Sequence, residues 1–217
     1  MTGPHAGARV LVRGPRAGAD AALVMLHGRG AGAQDILTLV PPLDLPGWRY
    51  VAPEARGGTW YPNSFMAPLE ANEPWLSSAL GLVAEVLAAV AADGIPAERT
   101  ILLGFSQGAC LALEFAARNA RRYGGLVGLS GGLIGPAGTV RHDAGSLAGT
   151  PVFLGCSDHD PHIPASRVLH AAETLAGLGG DVTRALYPDL DHSVSEEELE
   201  HVRDLMRPLS AEAGAAS

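Results

Sequence analysis

Residues 101–113 constrain the fold and the chemistry of this chain more than any other stretch. An apolar run ends at Gly104, a serine follows at position 106, and a helix-forming apolar segment begins after Gly108. This Gly-x-Ser-x-Gly pattern predicts a strand, a sharp turn and a helix, with Ser106 at the apex of the turn. The two glycines remove Cβ atoms where the helix start packs against the strand end, so the serine can adopt a strained conformation. We therefore expect the Ser106 hydroxyl to project beyond the sheet edge, beside the free N–H groups of the first helical turn.

The rest of the chain alternates between strand-like and helix-like segments. The predicted strands are 9–13 (an edge strand), 21–26, 48–52, 100–103, 123–129, 151–156 and 181–187. The predicted helices are 34–40, 75–92, 107–119, 164–178 and a last one that opens at Ser195, with a serine cap and an acidic first turn. The first of these helices is expected to stop at Pro41 and Pro42. Continuous apolar strands separated by helices predict an α/β fold with a mostly parallel central sheet and helices on both faces.

Length and composition narrow the classes of protein. The 217 residues suit a single domain over 1–217, with residues 1–7 and 211–217 as frayed tails and with no room for a large lid domain. The formal net charge of −8 without a basic run argues against a nucleic-acid partner and against stable membrane association. We expect a cytoplasmic protein, because the first residues lack a signal pattern and no segment reads as membrane-spanning. Cys110 and Cys156 fall in apolar segments and are interpreted as reduced core residues.

Three predicted strand ends carry polar groups. They are Ser106, a loop with Asp158 and Asp160, and a later loop with His192. Because parallel strands place their carboxyl ends at one edge of the sheet, these groups are expected to lie close together. A serine needs a base to remove its proton, and the base needs an acid that holds its tautomer. From the residues alone, either aspartate of the loop could reach His192, and the elbow could still be an ordinary Gly-rich turn.

The sequence resembles the phospholipase/carboxylesterase family of small α/β-hydrolases, which also contains acyl-protein thioesterases and lysophospholipases. The resemblance runs from about residue 20 to 207 and rests on four motifs in the family's order: Gly104-Phe105-Ser106-Gln107-Gly108, Leu26-His27-Gly28, Asp160-Pro161-His162-Ile163-Pro164 and Asp191-His192-Ser193. It implies the α/β-hydrolase fold and a serine carboxylesterase that needs no cofactor.

The resemblance also implies a role for each site residue. Ser106 would be the nucleophile, Asp160 the acid and His192 the base, with backbone N–H groups of Arg29 and Gln107 as the oxyanion hole. Pro161 supports the choice of Asp160, because a proline restricts the backbone of the residue before it. Relatives that act on lipid acyl groups usually carry an apolar residue where Arg29 stands, so a long-acyl substrate is less expected here.

The substrate is expected to be a small ester with a short- to medium-chain acyl group, with a lysophospholipid or a thioester as alternatives. Residues 60–68 concentrate aromatic side chains in a chain that is only 5% aromatic. Trp60, Tyr61, Phe65 and Met66 are therefore candidates for the wall of an acyl pocket, or they merely pin a long loop to the body. The chain is expected to be a monomer or a homodimer.

The sequence also allows three other interpretations of its function. Gly28-x-Gly30-x-x-Ala33 after a buried strand, with Glu54 further on, also fits a dinucleotide-binding fingerprint and a nicotinamide-dependent oxidoreductase. A non-catalytic binding protein on the same fold is the second, since fold alone does not establish function. Asp158, His159, Asp160 and His162 could ligate a metal, but the cluster lacks a supporting ligand spacing, so no metal is expected.

Overall fold

The alternation predicted from the sequence forms one seven-stranded sheet in the computed structural model, which describes residues 3–15 and 17–210. The strands among these residues are β1 (Val10–Arg13), β2 (Ala21–Leu26), β3 (Trp48–Pro53), β4 (Thr100–Phe105), β5 (Gly125–Leu129), β6 (Pro151–Ser157) and β7 (Asp181–Tyr187). The α-helices are α1 (Ala33–Ile36), α2 (Val40–Leu43), α3 (Trp75–Ala92), α4 (Gln107–Arg118), α5 (Ala165–Gly177) and α6 (Glu196–Ser210).

The strand order places the candidate catalytic groups at one edge of the sheet. The order is β1-β3-β2-β4-β5-β6-β7, and only β1 runs antiparallel to its neighbour. The carboxyl ends of β4, β6 and β7 therefore lie on the same side, as the sequence predicts for a mostly parallel sheet. The loops that follow these three strands carry Ser106, Asp160 and His192.

Both faces of the sheet are covered, which explains the continuous apolar strands. Alternate residues of β2 enter different cores: Ala22, Val24 and Leu26 face one, and Ala21, Leu23 and Met25 face the other. Helices α3, α4 and α5 contribute to the first core, and α1, α2 and α6 to the second. Burying one such leucine stabilises the fold by roughly 1.5–3 kcal/mol, so an alternating polar pattern in β2 would be costly on either face.

The first predicted helix is wrong in its end point. The segment breaks into α1, a 3₁₀ turn at Leu37–Leu39, and α2, which contains Pro41 and Pro42 in its first turn. The first N–H groups of a helix have no partner within it, so a proline that lacks an N–H is tolerated there. The two prolines therefore begin a second helix instead of ending the first.

Helix α3 corrects a second expectation. Its 18 residues have a mean hydropathy of 1.8, so the helix meets the length and composition criteria for a membrane span, whereas the sequence was expected to contain no segment of that length. In the fold, its Leu76, Val83 and Val90 belong to the core on one face of the sheet. Core helices of globular proteins share this apolar composition, because one side of the helix is fully covered.

The expected frayed segment at residues 1–7 is wrong for the part that the structure describes. His5 is only 1% exposed, and its backbone N–H donates to Ser78 Oγ at 2.9 Å. Its ring packs edge-on against Trp75, with 5.4 Å between the ring centroids. Residues 1, 2 and 211–217 lie outside the described residues, and the predicted C-terminal tail falls among them.

Candidate active site

The turn between β4 and α4 has the strained geometry expected of the elbow. Ser106 has φ 54° and ψ −119°, a conformation that costs a non-glycine residue about 1–3 kcal/mol. A Cβ at Gly104 would lie 2.2 Å from the Gly108 carbonyl oxygen, and one at Gly108 would lie 2.2 Å from the Leu26 carbonyl oxygen. Both glycines are therefore required by the close approach of α4 to β4 and β2.

Ser106, His192 and Asp160 form one hydrogen-bonded line. The Ser106 hydroxyl lies 2.9 Å from His192 Nε2, and His192 Nδ1 lies 2.6 Å from Asp160 Oδ2. A carboxylate only accepts hydrogen bonds, so Nδ1 carries the imidazole proton and Nε2 is left to accept from the hydroxyl. This arrangement leaves the Ser106 proton positioned for transfer to His192.

The carboxylate of Asp160 is fixed on both oxygens. Its Oδ1 accepts from the backbone N–H groups of His162 and Ile163 at 2.8 and 2.9 Å, and the Cys156 thiol lies 3.8 Å from Oδ2. Burial opposes its ionisation, but the hydrogen bonds from His192 and from the two backbone N–H groups together lower the pKa of Asp160. Asp160 is thus held as an anion against the imidazole.

The other aspartate of this loop points elsewhere. Asp158 Oδ1 lies 2.7 Å from His159 Nδ1, and the side chain of His159 is 84% exposed. Of the two carboxylates that the sequence left open, Asp160 is the one that contacts His192.

The loop of His192 is anchored from the start of α6. Ser195 and Glu198 form a capping box: the Ser195 N–H donates to Glu198 Oε2 at 2.8 Å, and the Glu198 N–H donates to Ser195 Oγ at 3.2 Å. Glu198 is fully buried, and this burial raises its pKa although the bonds from Ser195 oppose the rise. The imidazole of His192 packs against the rings of Phe105 and His162, at 5.1 and 4.8 Å between centroids. The position of the imidazole is therefore set by the end of β4 and by the loop after β6.

Arg29 and Gln107, the candidate oxyanion residues, both hydrogen-bond to residues 60–68, which we call the aromatic loop. The Arg29 guanidinium donates to the carbonyl oxygens of Tyr61, Pro62 and Asn63 at 3.0, 2.8 and 2.6 Å. The Gln107 side chain accepts from the Trp60 N–H at 2.9 Å and donates to the Tyr61 carbonyl at 2.8 Å. Gln107 is the first residue of α4, and Arg29 lines the same cavity as Ser106. Arg29, which stands where relatives that act on lipid acyl groups usually carry an apolar residue, therefore holds the aromatic loop through hydrogen bonds of its side chain.

A cavity of about 340 Å³ opens beside Ser106. Its lining includes two of the four aromatic-loop candidates, Tyr61 and Phe65. The other two candidates, Trp60 and Met66, are not part of this lining. Trp60 is fully buried, with its indole N–H donating to the His27 carbonyl at 2.8 Å, and Met66 is 39% exposed outside the lining.

Four further lining residues were not singled out as pocket residues from the sequence: Ser64, Cys110, His162 and Ile163. Cys110 lies one helical turn after Ser106 in α4, a spacing that puts both side chains on the same face and could have identified it. Burial raises the pKa of the Cys110 thiol to about 11, so the thiol is neutral and acts as an apolar wall. Both cysteines are buried and free, as the sequence predicts.

The metal and dinucleotide interpretations find no geometric support in the described residues. No group of three histidine, cysteine, aspartate or glutamate side chains in residues 3–15 and 17–210 is placed to hold a metal ion. The helix after Gly28 and Gly30 is the single turn α1, and the Gly30 N–H donates to the Gly58 carbonyl at 2.8 Å. This loop is therefore hydrogen-bonded to the turn at Gly58, in the place where a dinucleotide fingerprint would hold a pyrophosphate.

The parallel sheet, the elbow and the absence of a lid domain among residues 3–15 and 17–210 define an α/β-hydrolase fold. The chain belongs to the Phospholipase/Carboxylesterase family, whose sequence profile it matches over residues 8–209. A solved phospholipase/carboxylesterase from Dyadobacter fermentans is 43% identical with a TM-score of 0.89, and the match covers 93% of this chain and 97% of that one.

Two curated relatives are more distant. Acyl-protein thioesterase 1 from Gibberella zeae is 36% identical over 53% of this chain and 50% of its own length. Esterase YpfH from Escherichia coli is 30% identical over 53% of this chain and 47% of its own length. The chain thus spans about half the length of the curated relatives that it matches.

Proposed function

We propose that this chain is a serine hydrolase that cleaves carboxylic esters of short- to medium-chain acids through an acyl-enzyme. The observation that carries the proposal is the line from Asp160 through His192 to Ser106, with consecutive distances of 2.6 and 2.9 Å at the mouth of a cavity. A non-catalytic binding protein would have no need to hold a serine in a strained turn opposite an oriented imidazole.

In the first half of the reaction, the Ser106 oxygen attacks the ester carbonyl carbon while His192 Nε2 takes the hydroxyl proton. The carbonyl oxygen becomes an oxyanion, which the backbone N–H groups of Arg29 and Gln107 stabilise. The N–H of Gln107 stands at the positive end of α4, which favours a negative charge at that point. When the carbon–oxygen bond to the alcohol breaks, His192 gives the proton to the leaving oxygen, and the acyl group remains on Ser106.

In the second half, water replaces the alcohol. His192 takes a proton from water as its oxygen attacks the acyl carbon, and then returns a proton to Ser106 as the acid leaves. Asp160 stabilises the imidazolium that forms in each half without taking its proton. The two backbone N–H groups on Asp160 Oδ1 keep the other oxygen on the imidazole throughout.

The cavity sets the size of the acyl group. Its volume of about 340 Å³ is at the small end of the range of roughly 300–1,000 Å³ for ligand pockets. Tyr61, Phe65, Cys110 and Ile163 give it an apolar interior, and the polar side chains of Arg29, Ser64 and His162 are also in the lining. This combination favours an apolar acyl chain of limited length.

A thioester is the second candidate substrate. It is favoured by the similarity to acyl-protein thioesterase 1 from Gibberella zeae over half of each chain. The same nucleophile, base and oxyanion donors serve both reactions, and only the leaving group changes from an alcohol to a thiol. A thiol is a better leaving group than an aliphatic alcohol and needs less help from His192 as a general acid, so alkyl esters, unlike p-nitrophenyl esters, test the acid step strictly.

The test uses p-nitrophenyl esters and the matching acyl thioesters over a series of chain lengths, together with a fluorophosphonate probe. We expect labelling of Ser106 and turnover that declines for long acyl chains. Ser106→Ala should lose the label and about a millionfold in kcat. Ser64→Ala removes another serine of the same cavity and should retain both the fluorophosphonate labelling and the kcat of the wild type. Labelling of another serine, or turnover by Ser106→Ala near that of the wild type, would refute the proposal.

A further inference from the structure

A side chain from the N-terminal segment reaches the back of the candidate site. His5 and His27 are both buried, at 1% and 0% exposure, and the Trp60 ring lies between them. The centroid of the Trp60 ring is 5.8 Å from that of His5 and 4.8 Å from that of His27. The hydrogen bonds and ring contacts of both histidines go to residues outside the triad, and the reaction described above does not use them.

The two imidazoles bind consecutive backbone groups of one segment. The Ala55 N–H donates to His27 Nε2 at 3.0 Å, and the Arg56 N–H donates to His5 Nδ1 at 3.2 Å. Each ring nitrogen that accepts must be unprotonated, so each proton lies on the other nitrogen. His5 Nε2 then donates to the Trp60 carbonyl at 3.0 Å, and His27 Nδ1 donates to the Gly28 carbonyl at 2.8 Å.

The two histidines thus hold residues 55–61, and the same segment is also hydrogen-bonded to residues of the candidate site. The Gly30 N–H, next to Arg29, donates to the Gly58 carbonyl at 2.8 Å. Gln107 accepts from the Trp60 N–H and donates to the Tyr61 carbonyl. Residues 55–61 therefore connect the two buried histidines to both candidate oxyanion residues and to a wall of the cavity.

From this chain of contacts we propose that His5 is a positioning residue for the oxyanion hole and the acyl pocket, acting through residues 55–61 together with His27. The inference rests on the proposed function for its kinetic consequence. Its structural consequence, the placement of residues 55–61, is independent of any activity. Through His5, the N-terminal segment helps to position the candidate active site.

Two variants of His5 separate its hydrogen bonds from its packing. His5→Phe keeps a ring between Trp60 and Trp75 but removes both the acceptor for Arg56 and the donor to Trp60. His5→Gln carries an amide N–H₂ that reaches the Trp60 carbonyl in place of the ring Nε2–H. A small misplacement of catalytic groups costs up to about a hundredfold in rate. We expect a fall of about tenfold in kcat/KM for His5→Phe, chiefly in kcat, and recovery of most of it in His5→Gln.

A third variant controls for the loss of a packed histidine. His201 of α6 stacks on Phe153, with 4.3 Å between the ring centroids, and is half-buried away from the cavity. His201→Phe should leave kcat and KM unchanged. If it lowers kcat/KM as much as His5→Phe does, the effect is one of general packing and the proposal is wrong.

Amide hydrogen exchange tests the same proposal without a substrate. His5→Phe should raise exchange at Arg56, whose N–H loses its acceptor, and at its neighbours in residues 55–61, which lose the restraint, while leaving α6 protected. If the wild-type chain neither hydrolyses esters nor takes the fluorophosphonate, the proposed function fails, and the exchange result still decides the role of His5. Unchanged exchange at residues 55–61 in His5→Phe, or His5→Phe kinetics equal to those of the wild type, would overturn the inference.

Discussion

Replacing Asp160 by asparagine should reverse the direction of the hydrogen bond on which the proposed catalysis depends. In the structure, two backbone N–H groups donate to Oδ1 and the imidazole faces Oδ2. An asparagine in this place satisfies the backbone donors only if its amide oxygen takes the Oδ1 position. Its N–H₂ group then faces His192 Nδ1 and donates to it, which moves the imidazole proton to Nε2. Nε2 can then no longer accept the Ser106 proton.

The magnitude follows from this change of tautomer. The same substitution in a serine protease triad keeps the geometry and costs about 10⁴ in kcat, which corresponds to about 5.4 kcal/mol of transition-state stabilisation. Asp158→Asn is the matched control, since it makes the same chemical change in the same loop on a carboxylate that faces His159. Because Asp158 lies outside the triad, this substitution should change the free energy of unfolding by only about 0.5 kcal/mol and leave kcat close to that of the wild type.

The assay compares kcat on a short p-nitrophenyl ester and the rate of fluorophosphonate labelling for both variants. Circular dichroism and a thermal melt confirm that each variant is folded. We expect Asp160→Asn to be slow by both measures and Asp158→Asn to match the wild type. If Asp158→Asn is the slower of the two, the acid is misassigned. If Asp160→Asn keeps wild-type rates, the argument from the imidazole tautomer is refuted.

Three further predictions address the pocket, the elbow and the buried histidines. Phe65→Ala should shift the preferred acyl length, with a change of about 10- to 200-fold between chain lengths, whereas Met66→Ala should leave the profile unchanged. Gly108→Ala should lower the free energy of unfolding by about 1–3 kcal/mol in urea titrations, because its Cβ would lie 2.2 Å from a carbonyl oxygen of β2. Burial lowers the pKa of His5 and His27, so the unfolded chain binds more protons as pH falls below about 6.5. Stability should therefore be complete above that pH and decline as pH falls towards the folded pKa values, by up to about 1.4 kcal/mol per unit for each histidine, with a shallower decline in His5→Phe.

The parts of this fold that the sequence predicts well are those that adjacent residues determine. The span of α3 follows from its apolar spacing and is confirmed over Trp75–Ala92. The strained turn at Ser106 is confirmed for the same reason, because glycines on both sides of the serine are the local condition for that turn. The capping box at the start of α6 also lies within four residues.

Pro41 and Pro42 show where this local reasoning ends. A proline stops a helix when it follows an established turn and is tolerated when it falls in the first one. The choice depends on where the chain restarts its helix, which tertiary packing of Val40 and Leu43 in the core determines.

The walls of the cavity could be predicted only in part. Residues 60–68 could either line an acyl pocket or pin the loop to the body, and the structure divides them: Tyr61 lines the cavity, while Trp60, its neighbour in sequence, is fully buried and donates its indole N–H to the His27 carbonyl. The direction of each side chain is set by bonds to distant residues, such as those of Gln107 to Trp60 and Tyr61. A loop without a repeating backbone conformation has no period from which alternate faces can be assigned.

The candidate site therefore consists of two parts that are held by different means. Ser106, Asp160 and His192 follow the carboxyl ends of β4, β6 and β7, whose spacing is fixed by the backbone hydrogen bonds of the sheet. The cavity wall at Tyr61 follows an irregular segment whose backbone N–H groups donate to side chains instead of to a neighbouring strand. Two of these acceptors are the imidazoles of His27 and His5. A substitution in the wall has few backbone bonds to break, so acyl preference should change with little effect on the nucleophile. A substitution at the elbow should affect both parts, because Gln107 directly follows Ser106 and its side chain hydrogen-bonds to the backbone of Trp60 and Tyr61.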